Sequence, residues 1–132
     1  MILLDTHALL WLLEDSPRLG RKAARLASAA LRVDGLAVSA TSFWEVAHLV
    51  QRRRLRLDSS ALSFRNAVLK MGVQEMVVDG AVSLAAADLA TSLHDPADCH
   101  IVATAVQHGA RLMTADERII GAKVVTTINA TE

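Results

Sequence analysis

Short apolar runs alternate with longer stretches of helical spacing along the whole chain. Residues 2–4, 36–39, 73–78, 111–114 and 124–127 are apolar or β-branched and read as buried strands. Between them, residues 8–14, 21–33, 42–53, 60–71, 81–92 and 97–108 carry apolar positions at helical spacing, and a short helix is expected at 117–120. Gly72 and Gly109 stand where two of these helices should stop. Strands alternating with helices predict right-handed βαβ units. The expected fold is therefore α/β: three layers, α/β/α, around a central, mainly parallel sheet.

The 132 residues suit one domain spanning 1–132, and no linker or repeat divides them. A 52% hydrophobic and 21% charged composition excludes a disordered chain. One cysteine, Cys99, excludes a disulfide framework and agrees with a reducing compartment. No apolar run approaches the roughly 20 residues of a membrane helix. The N-terminus has no basic leader, so neither membrane nor signal peptide is expected, and a cytoplasmic protein is. Net charge is zero, so nucleic-acid contact would need a local patch.

In a doubly wound sheet, ligands sit beyond the carboxyl ends of the strands, where strand order reverses. The residues there are acidic. Asp5 follows the first strand, Glu45 lies one turn into the helix after the second, and Asp116 follows the fourth. Asp98 opens the helix before the fourth strand, with Asp95 just ahead. Each acid alone has a structural explanation. Asp5, Asp116 and Asp95 (with Pro96 behind it) suit helix N-caps, and Asp98 suits a first turn. Ser42 to Glu45 has the spacing of a capping box, with Glu45 reaching back to the Ser42 amide. Together, four carboxylates in one crevice repel one another, and their pKa values rise unless a cation neutralises them. Hard oxygen donors suit Mg²⁺, with Mn²⁺ as an alternative, and such ions serve in-line hydrolysis of phosphodiesters.

Four segments now take on a family character. The opening Met1-Ile2-Leu3-Leu4-Asp5-Thr6-His7-Ala8-Leu9-Leu10-Trp11 resembles the start of a PIN domain, as does Val38-Ser39-Ala40-Thr41-Ser42-Phe43-Trp44-Glu45-Val46. His94-Asp95-Pro96-Ala97-Asp98 is similar to the HxDPxDR segment of one PIN subgroup, and Leu112 to Ile119 matches the fourth acidic block. In length and order the chain resembles the VapC-type toxin ribonucleases of toxin–antitoxin pairs. That resemblance implies a Mg²⁺-dependent endoribonuclease with Asp5, Glu45, Asp98 and Asp116 as its acidic quartet. It further implies a homodimer, an RNA substrate and a cognate antitoxin, with Asp95 supporting the quartet from behind. Where the family usually has Arg after the second Asp of the motif, this chain has Cys99. The loss of that counter-charge is expected to leave the pocket more negative and to hold an antitoxin arginine more tightly, so that Cys99→Arg should loosen the complex.

Other residues are weighed on the same terms. The Thr6 hydroxyl suits either a helix cap or the orientation of a water, and His7 and His94 stand near the acids. Cys99 is not expected to act as a thiolate, because neighbouring carboxylates raise its pKa. Trp11 and Trp44 lie among leucines and valines and read as core or dimer surface rather than as stacking platforms, which 3% aromatic residues also disfavour. Arg52, Arg53 and Arg54 form the one dense basic run, suited to a solvated helix end or to phosphate contacts. A receiver domain fits poorly, offering only Asp79 after the third strand and Lys123 before the last. A non-catalytic PIN-like module, binding RNA or protein, is the alternative that Cys99 keeps open.

Overall fold

A computed structural model describes residues 1–132. Five strands, β1 (Ile2–Leu4), β2 (Leu36–Ser39), β3 (Gln74–Met76), β4 (Arg111–Thr114) and β5 (Thr127–Asn129), form one sheet in the order β3-β2-β1-β4-β5. All four pairings are parallel. The helices are α1 (Thr6–Leu13), α2 (Arg21–Arg32), α3 (Ala40–Gln51), α4 (Ala61–Lys70), α5 (Gly80–Asp88), α6 (Pro96–Gln107) and α7 (Glu117–Ala122). A 3₁₀ turn at Leu89–Thr91 ends the segment expected as one helix over 81–92.

Alternation along the strands sorts the core into two halves. Ile2, Leu4, Leu36, Val38 and Met113 point to one face, where α1, α2, α3 and α4 supply Leu9, Ala27, Val46 and Val68. Leu3, Ala37 and Leu112 point to the other, where α5, α6 and α7 supply Val82, Val102 and Ile119. The three-layer expectation holds, and the sheet is wholly parallel. The chain winds from β1 through β2 to β3, then crosses to β4 on the far side of β1. Right-handed crossovers require the helices to change face at that reversal. The switch point therefore lies between β1 and β4, where Asp5 and Asp116 leave the sheet.

The fifth strand is displaced from its expected place at 124–127. Lys123, in the left-handed region at φ 55°, ends α7. Val124 and Val125 then pack against the half of the core that contains Leu3, Val102 and Ile119 instead of joining the sheet. Pairing starts later, with Thr127 opposite Leu112 and Asn129 opposite Thr114. Their apolar character reports burial under a helix layer, which periodicity cannot separate from a strand. Gly72 and Gly109 have φ of +104° and +61° and end their helices as expected. Asp79 caps α5 by accepting from the Val82 amide at 2.9 Å, and it lies at an edge of the sheet, which removes the receiver arrangement. No helix is long and apolar enough to cross a membrane.

Candidate active site

An open cleft of about 950 Å³ lies beyond the carboxyl ends of the strands. Its floor is Asp5 and the first turns of α6 and α7, which bring Asp95, Asp98 and Asp116 together. One wall is α1, with His7 and Trp11; the other is α3, with Trp44, Glu45, His48 and Arg52. All four acids of the expected quartet line this one cleft.

Each acid is held there by its local fold. Asp5 is the N-cap of α1 and is only 8% exposed. Its Oδ1 accepts from the Thr6 amide at 2.8 Å, and its Oδ2 accepts from the Thr114 hydroxyl at 2.7 Å. Asp116 caps α7, accepting from the Arg118 amide at 2.9 Å, and its Oδ2 lies 3.3 Å from the Arg118 guanidinium. Asp95 caps α6, accepting from the amides of Ala97 and Asp98, with Pro96 at the first helical position. That leaves Asp98 in the first turn, with its side chain in the cleft.

Glu45 departs from its expected structural role. Helix α3 begins earlier than 42, with Ser39 as its cap, so no capping box forms. Ser42 is buried in the first turn and accepts a hydrogen bond from the Thr6 hydroxyl at 3.1 Å. Glu45 is thus left to face the cleft. Thr6, with Asp5 already capping its helix, ties α1 to α3 at the point where the two walls meet.

Burial and mutual repulsion disfavour charge on this set. Desolvation and, after it, the charges of Asp95, Asp5, Asp116 and Glu45 together raise the Asp98 carboxyl to about 7. Asp5 is raised by burial, against the hydrogen bonds from Thr114 and Thr6. Glu45 is raised by burial, eased by the nearby Thr6 hydroxyl and reinforced by Asp5 and Asp95. Asp116 goes the other way: burial raises it, but the hydrogen bonds and charge of Arg118 outweigh that and lower it.

No three of the His, Cys, Asp or Glu side chains stand grouped as a ready metal cage. The chemistry of the donors nevertheless fits a hard cation, because every acid of the cleft offers carboxylate oxygens, and Asp5, Glu45 and Asp98 are raised by burial and by one another's charge. Mg²⁺ keeps several waters and takes one or two carboxylates directly, so it does not require a closed cage.

Several other expectations change. Cys99 is 4% exposed, its Sγ donates to the Leu93 carbonyl at 3.0 Å, and it packs in the core under the sheet. Successive helical positions point about 100° apart, so with Asp98 in the cleft, Cys99 is turned away from it. The expectation that position 99 sets the charge of the pocket is therefore overturned. Burial, then Asp98 and Asp95, raise its thiol, which agrees with an inert cysteine. The counter-charge is supplied by Arg118, whose field also reaches Asp98 and Asp95. Arg52 and Arg54 line the cleft, whereas Arg53, in the left-handed region at φ 57°, does not. His7 lines it too, tilted against Trp11 with ring centroids 6.3 Å apart, and His94 does not. Of the two expected places for Trp44, core or dimer surface, the core is excluded, because it is 59% exposed at the rim of the cleft.

Thr114 and Arg118 escaped the sequence reading. Thr114 donates to Asp5 and accepts from the Asp116 amide at 3.0 Å, so one hydroxyl sets two of the acids. A hydroxyl two residues ahead of a capping Asp, at the end of a central strand, is the signal that could have found it.

Comparison with known proteins agrees with this geometry. The PIN domain family matches residues 2–124. Ribonuclease VapC22 of Mycobacterium tuberculosis (strain ATCC 25618 / H37Rv) is 35% identical over 119 residues, covering 89% of this chain and 88% of its own. Among solved structures, VapBC2 from Rickettsia felis, bound to a DNA fragment from its promoter, superposes with a TM-score of 0.73 at 15% identity, over 98% of both chains. A toxin–antitoxin complex from Klebsiella pneumoniae gives 0.66 at 20% identity, over 100% of this chain and 99% of its own. The strand order, the acidic switch point and a match over nearly the full length lead to one conclusion: the chain belongs to the PIN domain family.

Proposed function

We propose that this chain is a toxin of the VapC type, a metal-dependent endoribonuclease that cuts RNA phosphodiesters and is silenced by a cognate antitoxin. The observation that carries this reading is the convergence of Asp5, Glu45, Asp98 and Asp116 on one cleft at the switch point of the sheet. The ribonuclease named among its relatives and the toxin–antitoxin complexes among its structural neighbours support it. The alternative of a non-catalytic binding module drew on Cys99, and that side chain lies in the core. The homodimer expected from the family belongs to the same reading.

Asp5, Glu45, Asp98 and Asp116 are the residues that would hold Mg²⁺ or Mn²⁺. When bound, such an ion neutralises charge on the phosphodiester and activates water as its nucleophile. Asp5 serves as the fixed point, because hydrogen bonds to both of its oxygens leave it no freedom to swing. Thr6 and Thr114 hold α1, α3 and the end of β4 in the register the acids need. Asp95 fixes the first turn of α6 and adds its charge to the field at Asp98. An acidic pocket of this kind is also suited to a cationic plug, and an arginine on an antitoxin tail has the bidentate geometry for it.

The direct test uses the purified chain with single-stranded RNA. Cleavage is expected with Mg²⁺ or Mn²⁺ and not in excess EDTA; full activity in EDTA would remove the metal from the reading. The basic rim gives a finer result. Arg52→Ala with Arg54→Ala should lower the slope of log affinity against log salt by about 0.7 per lost contact, about 1.4 in all. Arg53→Ala, off the cleft, should leave the slope unchanged; an unchanged slope in the Arg52→Ala, Arg54→Ala chain as well would return the run to a solvated helix end.

A further inference from the structure

The rim of the cleft carries an aromatic face that the carboxylate chemistry does not use. Trp44 and His48 lie one helical turn apart on α3 and stack nearly parallel, with ring centroids 4.8 Å apart and planes at 11°. Trp44 is nonetheless 59% exposed, and both residues line the cleft. Arg52 follows one turn further on, so positions 44, 48 and 52 form a single stripe of aromatic, imidazole and guanidinium groups along one wall. Glu45, next to Trp44, faces the floor of the same cleft.

We propose that Trp44, braced by His48, is the stacking platform for a nucleobase of single-stranded RNA lying in the cleft. This rests on the ribonuclease reading above and adds to it the form of the substrate: an unpaired base beside the phosphate that is cut. An indole packed on one side and open on the other presents a flat face at fixed orientation, so little side-chain freedom is lost when a base stacks on it. Stacking is sequence-tolerant because every base has a π-face. Arg52 and Arg54 then follow the backbone, and the carboxylates lie within the same cleft. A duplex, whose bases are already stacked, offers no free face to Trp44.

The experiment measures binding in EDTA, so that it does not depend on turnover. The probes are a single-stranded RNA hexamer and a hexamer of abasic ribose phosphates with the same charge. The intact protein should bind the base-bearing hexamer about tenfold more tightly. Trp44→Ala should abolish that advantage and leave affinity for the abasic chain unchanged, while Trp44→Phe should keep most of it. In a Trp11→Phe background, the remaining Trp44 fluorescence should be quenched by the base-bearing hexamer alone. Equal binding of both hexamers by the intact protein overturns the platform and leaves the ribonuclease reading standing; failure to bind either in EDTA, with failure to bind or cut the base-bearing hexamer in Mg²⁺, overturns both. A Trp44→Ala chain that weakens equally towards both hexamers and changes its sedimentation would mark Trp44 as a contact between protomers instead.

Discussion

Asp98→Asn is expected to reduce RNA cleavage by at least about a hundredfold while making the metal-free fold more stable at neutral pH. Both effects have one source. In the folded chain, burial and the surrounding acids raise Asp98 to about 7, against 3.8 for an ordinary aspartate. Between those values the folded state holds a proton that the unfolded state releases. Stability must therefore fall as pH rises through that window and level off above about 7. At pH 8 the wild-type chain carries the full cost of an ionised Asp98, and the amide does not. A rise from 3.8 to about 7 corresponds to about 4 kcal/mol, and partial solvation of Asp98 brings the expected gain nearer to about 2 kcal/mol. Urea unfolding in EDTA at pH 5 and pH 8 measures this: the wild-type midpoint should drop between the two, and that of Asp98→Asn should drop less. The residual slope belongs to Asp5 and Glu45, which are raised as well. Mg²⁺ at pH 8 should restore the wild type and do little for the variant. A flat wild-type profile, or equal rescue of both chains by Mg²⁺, would sink the shared-cation account. Asp5→Asn makes a poorer probe, because its amide cannot accept from both the Thr6 amide and the Thr114 hydroxyl.

Legibility in the sequence followed the strength of the local signal. The central strands β1, β2 and β4 are short and built around buried apolar residues, and their bounds agree with the pattern. The edge strands β3 and β5 are half-buried, so their pattern is mixed, and β5 starts three residues later than read. The acids at the strand ends were visible because a parallel sheet leaves few places for Asp at such positions, and capping explains only part of that preference. The direction of single side chains was not visible. Glu45 had the spacing of a capping box, but the register of α3 was set by Ser39 three residues earlier. Trp44 sat among apolar neighbours, yet the helical turn places it on the rim while Val46 enters the core. The Thr114 bond to Asp5 spans 109 positions, which no short spacing rule encodes, whereas the contacts of Thr114 and Arg118 with Asp116 span only two.

Position 99 is where reading by motif and reading by geometry diverge most, and the two make opposite forecasts for Cys99→Arg. If the side chain faced the acids, the new guanidinium would relieve their repulsion, steady the metal-free fold and weaken a cationic antitoxin tail. Instead the Cys99 Sγ hydrogen-bonds the Leu93 carbonyl and packs with the core formed by α5, α6 and the sheet. An arginine there must either bury part of its charged side chain among the apolar residues of that core or push the first turn of α6 away from the sheet. The first costs several kcal/mol, and the second displaces Asp98 along with the turn. Either way a loss of about 3–5 kcal/mol is expected, which approaches the whole stability of many domains of this size. Cys99→Ala, which leaves only a small cavity, should cost about 1–2 kcal/mol and keep cleavage intact. Urea midpoints of the two variants decide between the readings. A Cys99→Arg chain as stable as the wild type in EDTA, with weaker Mg²⁺ binding, would return this side chain to the cleft.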